Sequence, residues 1–163
     1  MHGSADVLKH LWPRVRRWLR DSSGANLAEA AIITPIMVFM TFAIVDFAML
    51  FYAYLALENG VSQATRYAVT GQQVAGQTRE QSIMAAMRDA TPTLTIADAA
   101  FTFSHLPVGG AAWVAGAGGP NEIEKVTVDY NWTFLTPLIQ PLFPGGSFNI
   151  RVESSMRNER RFN

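Results

Sequence analysis

The chain has 163 residues, enough for one modest domain and a membrane segment, and its formal net charge of +0 gives no general case for nucleic-acid binding. It contains no cysteine, which excludes disulfides and thiolate metal sites. The three histidines, His2, His10 and His105, do not form a ligand pattern, so we expect no metal and no other cofactor.

The first 24 residues are basic. They hold five basic and two acidic side chains and therefore carry a charge of +3, although the whole chain is neutral. Apolar residues recur between the arginines at near-helical spacing, which is typical of an amphipathic helix at a membrane surface, but Pro13 interrupts the pattern. We favour a topology signal that keeps the N-terminus in the cytoplasm.

A long apolar run follows, from residue 30 to residue 57, and Asp46 is its one charged residue. As a helix, these 28 residues would be about 42 Å long. That is longer than the hydrocarbon core of roughly 30 Å and longer than the apolar region of a secretory signal. The sequence predicts a membrane-spanning helix that continues outside the membrane. Glu29 lies where the run begins, and a carboxylate there is costly unless something pairs with it.

Small residues recur every four positions near the end of this helix: Ala56, Gly60, Ala64 and Ala68. That spacing puts them on one helical face, and such a face lets another helix approach closely. The face packs either on a helix of another subunit or on its own domain, and the two interpretations are compatible.

A second, shorter helix is predicted after a connector rich in glycine and glutamine that begins at Gly71. Thr78 is its candidate N-cap, and Gln81 three residues later completes a capping-box pattern. Ile83, Met84 and Met87 supply its apolar face, and Pro92 marks its end.

Three strand candidates follow, "LTIADAAFTFSHL", "KVTVDYNWTF" and "SFNIRVESSM". In the second, apolar and polar residues alternate, which indicates one buried face. We assigned the acidic residues nearby, Glu122, Glu124 and Asp129, to a solvated face. The apolar residues of the second strand are Val126, Val128, Tyr130, Trp132 and Phe134. The predicted fold is α+β: a long N-terminal transmembrane helix that leads into a small domain with a short helix and an antiparallel sheet of about three strands.

The loop before the last strand is unusually apolar. It contains Leu135, Leu138, Ile139, Leu142 and Phe143 among three prolines. Such residues either tuck over the sheet edge, which we favour, or face a partner. The chain carries no phosphate-binding loop, no HExxH motif and no nucleophile elbow. We therefore expect no enzyme activity.

The N-terminal pattern resembles type IV prepilin-like proteins: a basic leader ends in Gly24, and Glu29 is the fifth residue after it. The stretch "GANLAEAAIITPIMVFMTFAIVDFAMLFYAYLALENGVSQATRYAV" is similar to the TadE family of pseudopilins, from tight-adherence (Tad/Flp) pilus systems. Glu29, Pro35, Asp46 with Phe47, "FYAY", Asn59 and "ATRYA" carry the resemblance. The ending "LTPLIQPLFPGGSFNIRVESSMRNE" is similar as well. Ala30 follows Glu29 where major pilins usually have tyrosine, which favours a minor pseudopilin.

The resemblance implies that a prepilin peptidase cuts between Gly24 and Ala25, and that Glu29 then pairs with the amino terminus of a neighbouring subunit. The expected regions are a cytoplasmic basic leader at 1–24, a hydrophobic helix at 25–70 with its membrane part at about 30–57, and an extracytoplasmic α+β domain at 71–163. The expected location is the bacterial inner membrane, with a single span and an N-terminus in the cytoplasm.

The expected partners are the prepilin peptidase, other pilins or pseudopilins, the inner-membrane assembly platform and membrane lipid, but no nucleic acid. We expect Asp46 to contact a polar group on a partner pseudopilin, and the alternative is that it reaches interfacial water. The alternative function is a signal-anchored membrane protein whose outer domain binds a cell-envelope or surface ligand.

Overall fold

The computed structural model describes residues 22–160, and the side chains of Ser22 and Ser23 are not described. The topology signal that we assigned to the leader therefore lies outside the described residues, apart from the last three residues of the leader. The chain divides into two units, Met1–Ala43 and Ile44–Asn163.

The first helix, α1, runs from Ser22 to Val69 and contains Pro35. Within the first unit, every residue from 24 to 42 is exposed. The segment Gly24–Val69 is long and apolar enough to cross a membrane, and only 11% of its most apolar window is buried. A soluble core helix would instead be mostly buried. The predicted long apolar helix is confirmed, and it is a candidate membrane anchor.

The second unit contains the end of α1, a second helix and a four-stranded antiparallel sheet. These elements are α2 (Arg79–Ala90), β1 (Phe101–Leu106), β2 (Val114–Ala115), β3 (Ile123–Thr133) and β4 (Ser147–Arg157). The strand order is β2-β1-β3-β4. The predicted α+β fold is confirmed. Strand β2 adds to the three predicted strands because two residues of a glycine-rich loop pair with Ser104 and His105.

The cap of α2 is the one that the sequence predicts. The Thr78 side chain accepts a hydrogen bond from the backbone N–H of Gln81, and the Gln81 side chain accepts one from the backbone N–H of Thr78. Two of the backbone donors at the start of the helix are satisfied in this way. The helix ends at Ala90, two residues before Pro92.

The core of the second unit lies between the two helices and one face of the sheet. Strand register places Phe101, Val128 and Val152 side by side on that face. The buried apolar residues of the core are Ala53, Leu57, Val61, Ala64, Ala68, Ile83, Met87, Ile96, Phe101, Phe103, Val126, Val128, Ile150 and Val152. Burial of this cluster fixes the second half of α1 against its own domain.

The two ends of the sheet meet different parts of α1. At one end, where Thr133 pairs with Ser147, the loop between β3 and β4 reaches Asp46. At the other end, beyond the pairing of Ile123 with Arg157, the backbone N–H of Glu159 donates to the Val69 carbonyl at the end of α1. We call these the Asp46 end and the Glu124 end of the domain, because each carries one buried carboxylate.

Candidate assembly site

Gly24 and Ala25 lie near the start of α1, and both are exposed. A Cβ atom added at Gly24 would meet no atom within 4 Å. The fold described for this chain therefore gives no steric reason for glycine at position 24. The predicted cleavage after Gly24 stays a prediction.

Glu29 is exposed, and no group among residues 22–160 makes a hydrogen bond or ion pair with it. Its surroundings on α1 are apolar and are exposed as well. The exposed large apolar residues of this segment are Leu27, Ile32, Ile33, Ile36, Met37, Val38, Phe39, Met40 and Phe42. A carboxylate beside such a surface is stable only while it reaches water or a partner charge, since an apolar layer would otherwise desolvate it.

Asp46 has the opposite environment, because its side chain is fully buried. One carboxylate oxygen, Oδ1, accepts a hydrogen bond from the Leu135 backbone N–H at 2.9 Å. The other, Oδ2, accepts from the Thr136 backbone N–H at 3.2 Å and from the Thr136 hydroxyl. Three donors from one loop thus converge on one carboxylate, which compensates for the loss of its hydration.

Aromatic rings flank Asp46 and its three hydrogen-bond donors, an arrangement that we call the clamp on Asp46. Phe47, the next residue on α1, meets Phe134 and Phe143 edge to face, with ring centroids 6.1 and 6.5 Å apart. Phe134 and Phe143 stack at 4.4 Å, and Phe143 meets Phe148 at 6.3 Å. The contacts of Phe47 with Phe134 and Phe143 attach the loop between β3 and β4 to α1.

Residues 46 and 136 are 90 positions apart, so no local pattern reveals their contact. The two interpretations of Asp46 from the sequence were a partner pseudopilin and interfacial water, and a contact within the chain was not among them. The contact with a partner pseudopilin stays a prediction. The three donors in the chain nevertheless satisfy the carboxylate without any partner.

The face of small residues on α1 lies largely inside the second unit. Gly60, Ala64 and Ala68 are buried, and Ala56 is half-buried. A Cβ atom at Gly60 would lie 2.5 Å from Cγ2 of Thr91 and 3.3 Å from Met87. Glycine at position 60 therefore permits close approach of the residues at the end of α2. Packing on its own domain accounts for this face, and additional packing on another subunit stays a prediction.

Glu124 is a buried carboxylate at the other end of the sheet. Its Oε2 atom accepts a hydrogen bond from the Gly118 backbone N–H at 2.7 Å and lies 3.4 Å from the Arg79 guanidinium. Burial raises the pKa of the Glu124 carboxyl, while the Gly118 hydrogen bond and Arg79 act in the opposite direction. Burial also lowers the pKa of the Arg79 guanidinium, against the attraction of Glu124.

The assignment of Glu124 to a solvated face was wrong, because the residue is 0% exposed. The strand parity contained the signal: Glu124 has the same parity as Val126 and Val128, so all three face the same side of β3. The side chain of Asn158 holds the loop beside Glu124, and its Nδ2 donates to the carbonyls of Gly118 and Gly119. Arg79, Glu124 and Asn158 thus link α2, β3 and the segment after β4, which is a structural role.

Comparison with known proteins gives one match. Residues 24–66 match the family model described as TadE-like protein. The matched range begins at Gly24 and includes Glu29, Asp46 and Gly60. The resemblance stated from the sequence is confirmed over this segment. The matched range does not include the C-terminal stretch from residue 135 to residue 159, so the resemblance there stays a prediction. Searches of curated proteins and of solved structures gave no match.

Proposed function

We propose that this protein is a minor pilin-like structural component, a pseudopilin, needed for assembly of a Tad/Flp-type pilus. A prepilin peptidase processes it after Gly24, and the protein has no enzyme activity of its own. The single observation that carries the proposal is the match of residues 24–66 to the TadE-like family model, in a helix whose residues 24–42 are all exposed.

The proposed location is the bacterial inner membrane, with the N-terminus in the cytoplasm and the second unit outside. Cleavage after Gly24 removes the +3 charge of the leader and creates a new amino terminus at Ala25. The charges that hold the N-terminus in the cytoplasm are then gone. The apolar helix is released for withdrawal from the bilayer into an assembly of pilins or pseudopilins at the inner-membrane platform.

In that assembly, Glu29 pairs with the amino terminus of a neighbouring subunit. The exposed apolar residues on both sides of Glu29 become covered by other subunits, which removes water from the carboxylate. A desolvated carboxylate is tolerated when an ammonium group faces it. Glu29 is exposed and makes no hydrogen bond or ion pair with residues 22–160. This supports the role, because no described group occupies the carboxylate.

The test uses two substitutions of Glu29 and two separate measurements. Leader removal is followed by intact mass, and surface pili are quantified by shearing and immunoblotting. Glu29→Gln keeps the shape but removes the charge, so it is still cut after Gly24 and fails to support piliation. Loss of one member of a desolvated pair typically costs about 3–5 kcal/mol. Glu29→Asp is intermediate, since its carboxylate is one methylene shorter in reach.

Glu58→Gln is the matched control on the same helix. Glu58 already accepts a hydrogen bond from the Tyr54 hydroxyl at 3.0 Å, so it is not free for a partner in the same way. This variant is expected to be cut and to support piliation normally. Normal piliation with Glu29→Gln would overturn the pairing. A wild-type protein that keeps its leader in cells with an active peptidase would instead favour a signal-anchored protein that binds a surface ligand.

A further inference from the structure

The segment from residue 134 to residue 150 contains no charged residue. Within it, the loop between β3 and β4 separates its apolar side chains into two sets. Ile139 is buried, and Phe143 packs among the aromatic rings. Leu135, Leu138 and Leu142 are exposed by 70%, 47% and 64% of their surfaces. We call these three residues the leucine patch.

The leucine patch belongs to the loop that Asp46 holds. The backbone N–H groups of Leu135 and Thr136 both donate to Asp46, and Gln140 fixes the loop by donating to the Phe134 carbonyl at 2.9 Å. Within the second unit, the patch therefore lies at the Asp46 end. Asp46 is three residues along the chain from Ala43, where the first unit stops.

The exposed helix of the first unit is long enough to cross the hydrocarbon layer by itself. Residues 24–43 are 20 residues, which as a helix extend about 30 Å, roughly the thickness of that layer. Further along the chain, Ala53 and Leu57 are fully buried in the second unit and are unavailable to lipid. A hydrocarbon boundary close to Asp46 is therefore consistent with the fold, and the expected membrane part at 30–57 stays a prediction.

Tyrosines follow Asp46 at the position where a membrane interface is expected. Tyr52 and Tyr54 are 50% and 42% exposed, and Tyr52 lies about 9 Å past Asp46 along the helix. Tyrosine is enriched at the headgroup level of membranes, because its ring is apolar and its hydroxyl is polar. The Tyr52 hydroxyl is within hydrogen-bond distance, 3.1 Å, of the Thr93 hydroxyl in the outer domain.

We propose that the leucine patch enters the outer surface of the lipid bilayer and forms a second membrane contact in addition to the helix. Its occupant is lipid, because the patch is uncharged, is apolar and is fixed at the residue where the membrane-length helix ends. The clamp on Asp46 satisfies the backbone donors that the loop would otherwise expose at this depth. The contact holds the domain against the membrane before assembly and must be released when the helix is withdrawn.

The Glu124 end of the domain provides an internal control. Val108, Trp113 and Val114 are exposed there, so this end also carries apolar side chains. However, the Lys125 ammonium lies 4.2 Å from the centre of the Trp113 ring. This end is remote from Asp46 in the strand register, and we expect it to face water.

The experiment uses the full chain in phosphatidylcholine nanodiscs, with single cysteines introduced into a sequence that has none. Leu142→Cys tests the patch, Val108→Cys is the water-facing control and Ile36→Cys reports insertion of the helix. Each cysteine carries an environment-sensitive fluorophore. Aqueous iodide and a lipid with a nitroxide near the top of its acyl chain are the two quenchers, and the nanodisc leaves both faces open to iodide.

The label at position 142 is expected to lose most of its emission to the nitroxide lipid and little to iodide, whereas the label at 108 shows the reverse. Equal iodide quenching at 142 and 108 would overturn the proposal. Protection at 142 from both quenchers would also overturn it, because a protein surface rather than lipid would then cover the patch.

The inference rests on the membrane anchoring that is part of the proposed function, and the label at position 36 separates the two. If the label at 36 is quenched by lipid and the label at 142 is not, the leucine patch fails and the anchor stands. If neither is quenched by lipid, the anchor itself fails. Pilus assembly enters none of these measurements, so a failure of the pilus role leaves the lipid contact testable.

Discussion

The two halves of α1 are equally helical but have different surroundings. From residue 24 to residue 42 every residue is exposed, and the carboxylate of this half, Glu29, makes no hydrogen bond or ion pair with the described residues. From Asp46 to Ala68 one face is buried in the second unit, and the carboxylate there receives three hydrogen bonds. The second half is held by its own domain, whereas the first half is exposed, and the proposed function assigns it to lipid and to other subunits.

This difference separates folding from assembly. A substitution in the second half removes contacts within the chain and should lower the free energy of unfolding of the second unit. The same kind of substitution in the first half leaves those contacts intact and should act on processing or assembly. Unfolding is measured on the full chain in detergent micelles by urea denaturation and tryptophan fluorescence.

The largest expected difference comes from one substitution made at two glycines, Gly60→Leu and Gly24→Leu. At Gly60 the new side chain collides with Thr91, which is buried and donates its hydroxyl to the Met87 carbonyl, so it cannot easily move away. We expect the free energy of unfolding to fall by about 3 kcal/mol or more. At Gly24 there is open space, so the free energy of unfolding of the second unit should not change.

Leader removal should show the opposite pattern in these two variants. Gly24→Leu is expected to block cleavage, because a peptidase site that accepts glycine has no room for a bulky side chain. Position 60 is 36 residues from position 24, so the Gly60→Leu protein that is inserted into the membrane should be cut normally. If Gly24→Leu instead destabilises the second unit, the separation of folding from assembly between the two halves of α1 is wrong.

A smaller effect is expected at Asp46. Asp46→Leu leaves two backbone N–H groups and one hydroxyl without their acceptor, which should cost about 2–3 kcal/mol, since buried donors without partners are costly. Asp46→Asn retains one acceptor oxygen and should lose about half as much. Asp98→Asn is the control: its carboxylate is exposed and pairs with Arg88, and such surface pairs contribute at most about 1 kcal/mol.

The Asp46 variants also distinguish the clamp from a contact with another protein. Unchanged unfolding in Asp46→Leu, together with loss of co-purification with other pseudopilins, would show that the carboxylate acts on a partner. A loss of stability in the isolated chain would show that the contact with the loop matters by itself.

The smallest predicted effect is the pH dependence that Glu124 contributes. Its pKa is raised in the folded state from an ordinary value of 4.5, so the folded protein binds the proton more tightly than the unfolded chain. The stabilisation from protonation is complete below about pH 4.5 and is lost as the pH rises through the folded-state pKa. Relative to Glu124→Gln, the wild type should therefore lose stability as the pH rises over this range. A difference that changes in the opposite direction would show that Arg79 outweighs burial.

Local sequence patterns predicted most of the fold. The capping box of α2, the long apolar helix and the two long strands depend on neighbours a few residues away. Strand β2 was missed because two residues in a glycine-rich loop have no detectable period. Phe148 has the strand parity of the buried Ile150 and Val152 but is 45% exposed, because it pairs with Trp132 near the end of the sheet, beyond the buried core.

The candidate site was only partly readable from the sequence. Gly24 and Glu29 were found because their spacing in the chain is itself the pattern. The clamp on Asp46 was not found, since its donors are about 90 residues away. The apolar loop was predicted to tuck over the sheet edge or to face a partner; the structure buries Ile139 and exposes the leucine patch, and both interpretations stay predictions. Sequence alone could not divide one loop between these two environments.

The most direct test of the account is the intact mass of the wild-type protein purified from membranes of cells with an active prepilin peptidase. We predict a chain that lacks residues 1–24 and begins at Ala25. In cells without that peptidase, we predict an uncut precursor. A protein that retains residues 1–24 in the presence of the active peptidase would contradict the proposed role of the exposed half of α1.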